Sequence, residues 1–148
     1  MPFKNLKNIV AKNTLIELDI ANLQITIKEP DKVSKLKEVI VDGLNSSSCG
    51  IKFQKTKKQS NQFLNGHNKE GINMGCDSIL FLRHNNRTLI IFMELKSEKL
   101  KPKDYEKQLV SSWCFVKYLE KLLHEFYKDT ILENVEYKYV LFLQGFYS

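Results

Sequence analysis

The chain is 148 residues long, 43% hydrophobic and 27% charged, which suits one globular core over 1–148 and leaves too little for a second. Its three cysteines, Cys49, Cys76 and Cys114, are odd in number and lack C-x-x-C spacing, which argues against a disulfide framework and a zinc site and for reduced thiols in a cytoplasm. The net charge of +6 favours an anionic partner, nucleic acid first, because clustered lysines attract phosphate by Coulomb steering and counterion release.

Lys4, Lys7, Lys12 and Asn13 interrupt the first apolar residues, and no later run approaches membrane-spanning length, so neither a secretory leader nor a membrane partner is expected. Residues 1–30 read as an N-terminal extension in which Thr14 to Ile20 and Leu23 to Ile27 alternate as two strands that can pair, with a helical start to the first as the alternative. From Pro30 and Asp31 onward, Val33, Leu36, Val39, Ile40, Val41 and Leu44 make a helical stripe, with Pro and Asp at its start and Gly43 near its end. Residues 45–75 turn to Ser, Asn, Gln, Gly and Lys, the composition of a basic polar loop or hairpin. Lys52, Lys55, Lys57, Lys58 and Lys69 lie there with no acid before Glu70, a segment suited to clamping a nucleic-acid backbone or equally to a solvated connection.

The next stretch carries the chemistry. An apolar run, Cys76 to Leu82, and a second, Thr88 to Lys96, flank the polar turn His84-Asn85-Asn86-Arg87, the pattern of an antiparallel hairpin. Such a hairpin sets Asp77, at the start of the first strand, beside Glu94, at the end of the second. Period-two alternation puts Glu94 and Lys96 on one face and turns Leu95 to the other. Two carboxylates beside a main-chain carbonyl suit Mg²⁺, a hard ion that takes oxygen ligands and keeps several waters. An ammonium next to them can position water or balance charge on a phosphate, and the reaction class is phosphodiester hydrolysis.

After Lys99, Lys101, Pro102 and Lys103, which extend the basic surface, a helix is expected from about Asp104 to Lys128. Its buried stripe reads Tyr105, Leu109, Ser112, Val116, Leu119, Leu123 and Phe126, widened by Trp113, Phe115 and Leu122. Tyr137 to Leu143 is β-branched and aromatic enough for a central strand beside the one that ends at Lys96. A Gly-rich phosphate loop, a Ser-His-Asp arrangement and internal repeats are all lacking.

Asp77, the seventeen-position step to Glu94, and Glu94-Leu95-Lys96 resemble the PD-(D/E)xK motif of a nuclease superfamily that includes restriction endonucleases and Holliday junction resolvases. The resemblance implies a restriction-endonuclease-like α/β fold, an αβββαβ core with a central mixed sheet flanked by helices, running from the helix near Lys32 to the strand near Phe146. It further implies Asp77, Glu94 and the carbonyl of Leu95 as ligands of Mg²⁺, with Mn²⁺ able to substitute, and Lys96 as the catalytic lysine. Glu38, on the helix after Pro30, is the candidate for an additional acid at the metal, and Gln108 for a polar residue orienting water. Cys76 stands where the family has Pro, and Ser112 where one branch has Tyr four residues after its Gln.

The expected activity is metal-dependent hydrolysis of nucleic acid, DNA before RNA and internal cutting before end cutting, with a homodimer or a larger assembly as the possible partners of the chain. The alternative is a non-catalytic nucleic-acid-binding or protein-interaction domain of nuclease-like fold, in which Glu94 and Lys96 form an exposed rim pair worth little in stability.

Overall fold

A computed structural model describes residues 1–29, 35–52, 64, 69–72, 74–96 and 102–144. Lys55, Lys57, Lys58, Lys99 and Lys101 of the expected basic surface lie outside them. The described chain is mixed α/β, with two α-helices, α1 (Lys4–Ile9) and α2 (Pro102–Tyr127). Its strands are β1 (Leu15–Ile16), β2 (Ile25–Lys28), β3 (Glu38–Val41), β4 (Cys49–Lys52), β5 (Ser78–His84), β6 (Arg87–Lys96) and β7 (Glu136–Leu143). A five-stranded mixed sheet has the order β1-β4-β5-β6-β7, and β2 with β3 makes a second, two-stranded sheet.

The hairpin of β5 and β6 is the centre of the large sheet. His84 pairs with Arg87, so the loop is only Asn85-Asn86, both with positive φ (48° and 61°). That is the turn whose twist matches two antiparallel strands, and asparagine tolerates it better than most residues. On the far side of β6, α2 carries the chain across so that β7 runs parallel, from Leu89 opposite Glu136 to Lys96 opposite Leu143. The last strand is thus beside β6, as its composition suggested, but it ends the described sheet instead of lying at its centre.

Both faces of the large sheet are covered, which is why β5 and β6 are nearly continuous apolar runs. Ile90 and Phe92 face α1 and α2, packing with Phe3, Leu6, Ile79, Phe81, Val116, Leu119 and Leu123. Ile91, Met93 and Leu95 face the other way, onto Ile25 and Ile27 of the small sheet. The six-residue α1, which carries no strong sequence signal, exists by this packing: Phe3 and Leu6 are buried, and Phe3 lies 6.0 Å from the Phe81 ring.

Three expectations are corrected. The first is the helix beyond Pro30: residues 30–34 are outside the described part, and Glu38 to Val41 form β3, antiparallel to β2. The β-branched run Val39-Ile40-Val41 alternates, with Val39 and Val41 turned to the core, and pairing with Ile25 to Lys28 outweighs the approximate helical spacing. The second is the pairing of the two early strands with each other. Their pairing is confined to the Asp19 and Gln24 bridge, a turn pinned by Asn22 on the Asp19 carboxylate, beyond which β1 pairs with β4 and β2 with β3. The third is within 45–75, where Cys49 to Lys52 is a strand between β1 and β5.

The long helix covers nearly the expected span. It stops where Lys128 turns left-handed (φ 54°) and its amide and that of Asp129 close on the carbonyls of His124 and Leu123. Its buried stripe differs in detail: Gln108 belongs to it, while Trp113 and Phe126 are exposed. Among the described residues no helix is long and apolar enough to cross a membrane.

Candidate metal centre

At the end of β6 the face turned to the helices changes from apolar to ionic. Ile90 and Phe92 are followed at the same two-residue step by Glu94 and Lys96, and Leu95 turns to the opposite core. Asp77 immediately precedes β5, where Ser78 opposes Met93, so the hairpin register carries it to Glu94. The Asp77 amide donates to Glu94 Oε2 at 3.0 Å, and the Leu95 amide donates to Asp77 Oδ2 at 2.7 Å. Each acid is therefore bonded to the other's strand. Lys96 Nζ lies 2.9 Å from Glu94 Oε1.

The helix completes the cluster. Gln108 Nε2 donates to Glu94 Oε1 at 3.2 Å, and one turn later Ser112 Oγ accepts the Cys76 amide at 2.9 Å. Gln108, Ser112 and Glu94 are buried, Glu94 completely, Asp77 is 9% exposed, and the Lys96 side chain keeps 25% of its surface. The pair is thus open to solvent on the lysine side alone, in place of the exposed rim pair expected of an incidental contact. Burial pushes the Cys76 thiol up to about 12, opposed by its hydrogen bond with Ser112 and reinforced by the charges of Glu94 and Asp77. It is an inert neutral group at neutral pH.

The other residues singled out in the sequence lie elsewhere. Glu38 is exposed on β3, on the side of that strand turned away from the core that Val39 and Val41 join, so its suggested place at the metal is corrected. Lys52 is exposed at the end of β4. Lys69 is also exposed, and its carbonyl accepts from Lys107 Nζ at 2.9 Å, while Ser111 Oγ donates to the Ile72 carbonyl at 2.7 Å. These two bonds fasten the segment ahead of Asp77 to α2. Ser112 carried no site role in the sequence; its signal was a small polar residue inside an apolar stripe, one turn past Gln108.

The residues present fit a hard divalent cation in three respects. Two carboxylates adjoin, Asp77 and Glu94, joined through the main-chain amides of Asp77 and Leu95. In an extended strand the N–H and C=O of one residue point the same way, so the Leu95 carbonyl is directed, like its amide, toward Asp77. Gln108 Oε1 is a buried acceptor with no hydrogen-bond partner among the described residues, and a water held by the ion would satisfy it. Among the described residues no three His, Cys, Asp or Glu side chains are grouped to hold a metal, and a cation here would rest on two acids, a carbonyl and water.

No protein-family model, curated protein or solved structure matches the chain.

Proposed function

We propose that the chain is a Mg²⁺-dependent nuclease with a restriction-endonuclease-like core, hydrolysing phosphodiester bonds in nucleic acid, DNA before RNA. The single observation that carries this is the burial of Glu94 against Asp77 and Lys96 at the end of an otherwise apolar hairpin. Taking such charges out of water costs more than a hydrophobic replacement of similar volume, so stability alone gives no reason to put them there. Buried, convergent ionisable groups in one place are what a reacting centre requires. The antiparallel β4, β5 and β6, the crossing α2 and the parallel β7 support the αβββαβ assignment, with α1 standing ahead of the strands.

In this reading Asp77, Glu94 and the Leu95 carbonyl would hold the ion. When bound, Mg²⁺ lowers the pKa of water and neutralises charge gathering on the phosphate. Lys96, the most exposed of the group, would be placed to donate from Nζ to a phosphate oxygen or to an attacking water. Gln108 fixes Glu94 through Nε2, and its Oε1 would accept a hydrogen bond from a water. Exposed Lys52 and Lys69, and the overall charge of +6, favour a polyanionic substrate.

A non-catalytic binding domain is the second reading, favoured by one observation: Glu94 already accepts from Asp77, Lys96 and Gln108, a closed network that can serve as structure alone. Incubation with linear, circular and branched DNA and with RNA, under Mg²⁺, Mn²⁺ or EDTA, separates the two. Cutting that needs metal and vanishes in Glu94→Ala and Lys96→Ala is the expected result. Salt-sensitive binding without cutting, unchanged in both variants, overturns the nuclease in favour of the binding domain.

A further inference from the structure

We infer that Ser112 is a positioning residue for Asp77, acting through the peptide of Cys76. Ser112 is 1% exposed and lies on the core-facing stripe of α2, four residues after Gln108. Its Oγ accepts the Cys76 amide at 2.9 Å, and Cys76 Sγ donates to the Ser78 carbonyl at 3.3 Å. Cys76 is fully buried, so its main chain is gripped by the helix and its side chain by the strand, with Asp77 next in the chain. From that held peptide Asp77 reaches the Leu95 amide with its carboxylate and Glu94 with its own amide.

Gln108 grips Glu94 from the preceding turn of the same helix. Successive turns of α2 therefore hold the two acidic segments, one each, and the helix rise, about 6 Å over four residues, sets the distance between the grips. Helix stability does not explain a serine here, since alanine forms helix better and a mid-helix serine competes with the backbone. A lost Oγ leaves a buried amide without its acceptor and frees the peptide that carries Asp77. Partners one step behind metal ligands set affinity in this way. The effect on metal rests on the nuclease reading; the effect on Asp77 does not.

The test compares wild type, Ser112→Ala and Val116→Ala, the last removing buried apolar contacts one turn further along the same stripe. Amide hydrogen exchange is followed at Cys76 and Leu95, and Mn²⁺ affinity is measured by titration on the folded proteins. The expected result for Ser112→Ala is faster exchange at both amides and Mn²⁺ affinity reduced about ten- to a hundredfold. Val116→Ala should lower the unfolding midpoint and leave Mn²⁺ affinity within about twofold of wild type. Exchange that changes at Cys76 alone, or Mn²⁺ affinity in Ser112→Ala no weaker than in Val116→Ala, overturns the inference. If wild type binds no Mn²⁺, the nuclease reading falls, and Leu95 exchange by itself decides whether Ser112 positions Asp77. Should the alanine form not fold, Ser112→Cys, similar in volume and a weaker acceptor, is held to the same criteria in lesser degree.

Discussion

The two faces of β6 make opposite use of one strand. Toward the small sheet, Ile91, Met93 and Leu95 stay apolar to the end, and the face does nothing but pack. Toward the helices, Ile90 and Phe92 pack, and the next two positions are Glu94 and Lys96. The apolar half of that face anchors α2, and α2 then delivers Gln108 and Ser112 to the polar half. The rigid core is thus what allows a cluster of charges to be held in a fixed geometry, and the opposite face shows what the strand looks like without that task.

Perturbing the packing should have the largest effect on stability. Phe92→Ala removes a fully buried ring lying 5.9 Å from and parallel to Tyr137, and should cost about 3–5 kcal/mol, read from urea unfolding by circular dichroism. Met93→Ala on the opposite face should cost about 2–5 kcal/mol by the same measurement. A cost near zero for either would break the division into two working cores.

Glu94→Ala should cost less, about 1–3 kcal/mol, because the Asp77 amide and Gln108 lose an acceptor while Lys96 can turn to solvent. It should nonetheless abolish metal-dependent cutting. Full activity in this variant would remove Glu94 from the site, whatever its stability. Lys96→Ala sharpens the contrast further: initial cleavage rates should fall at least about a hundredfold.

The smallest effect concerns the thiols. Burial raises Cys49 to about 11, partly opposed by Lys7, and Cys76 to about 12. Both folded-state values lie above the ordinary 9.0, so the stability linked to them is complete below about pH 9 and is lost as pH rises through 11 and 12. At neutral pH a thiol reagent such as dithionitrobenzoate should modify exposed Cys114 quickly and reach Cys49 and Cys76 only on unfolding. Rapid labelling of Cys76 in the native protein would mean that the segment carrying Asp77 opens readily, against the clamp from α2.

Much of the hairpin was legible because its signals are local. Asn85-Asn86 set the turn, the turn set the register, and the register alone made Asp77 and Glu94 neighbours. The helix from Pro102 was equally plain from its period, though Trp113 and Phe126 look as apolar as Leu119 and only packing reveals that they stay outside. Glu38 was misplaced because Val39-Ile40-Val41 satisfies a helical stripe and a strand alike, and the strand it pairs with ends ten residues back in the chain, at Lys28.

By itself, then, the order of residues determined the β5 and β6 hairpin, the long helix, the shared face of Glu94 and Lys96 and the basic charge, each resting on a turn, a period or a composition read within a few residues. The tertiary structure alone decided that β3 is a strand, that the short α1 forms, and that Gln108 and Ser112 close over the acids. Those outcomes depend on contacts between segments distant in the chain, where burial and hydrogen-bond satisfaction outweigh local preference.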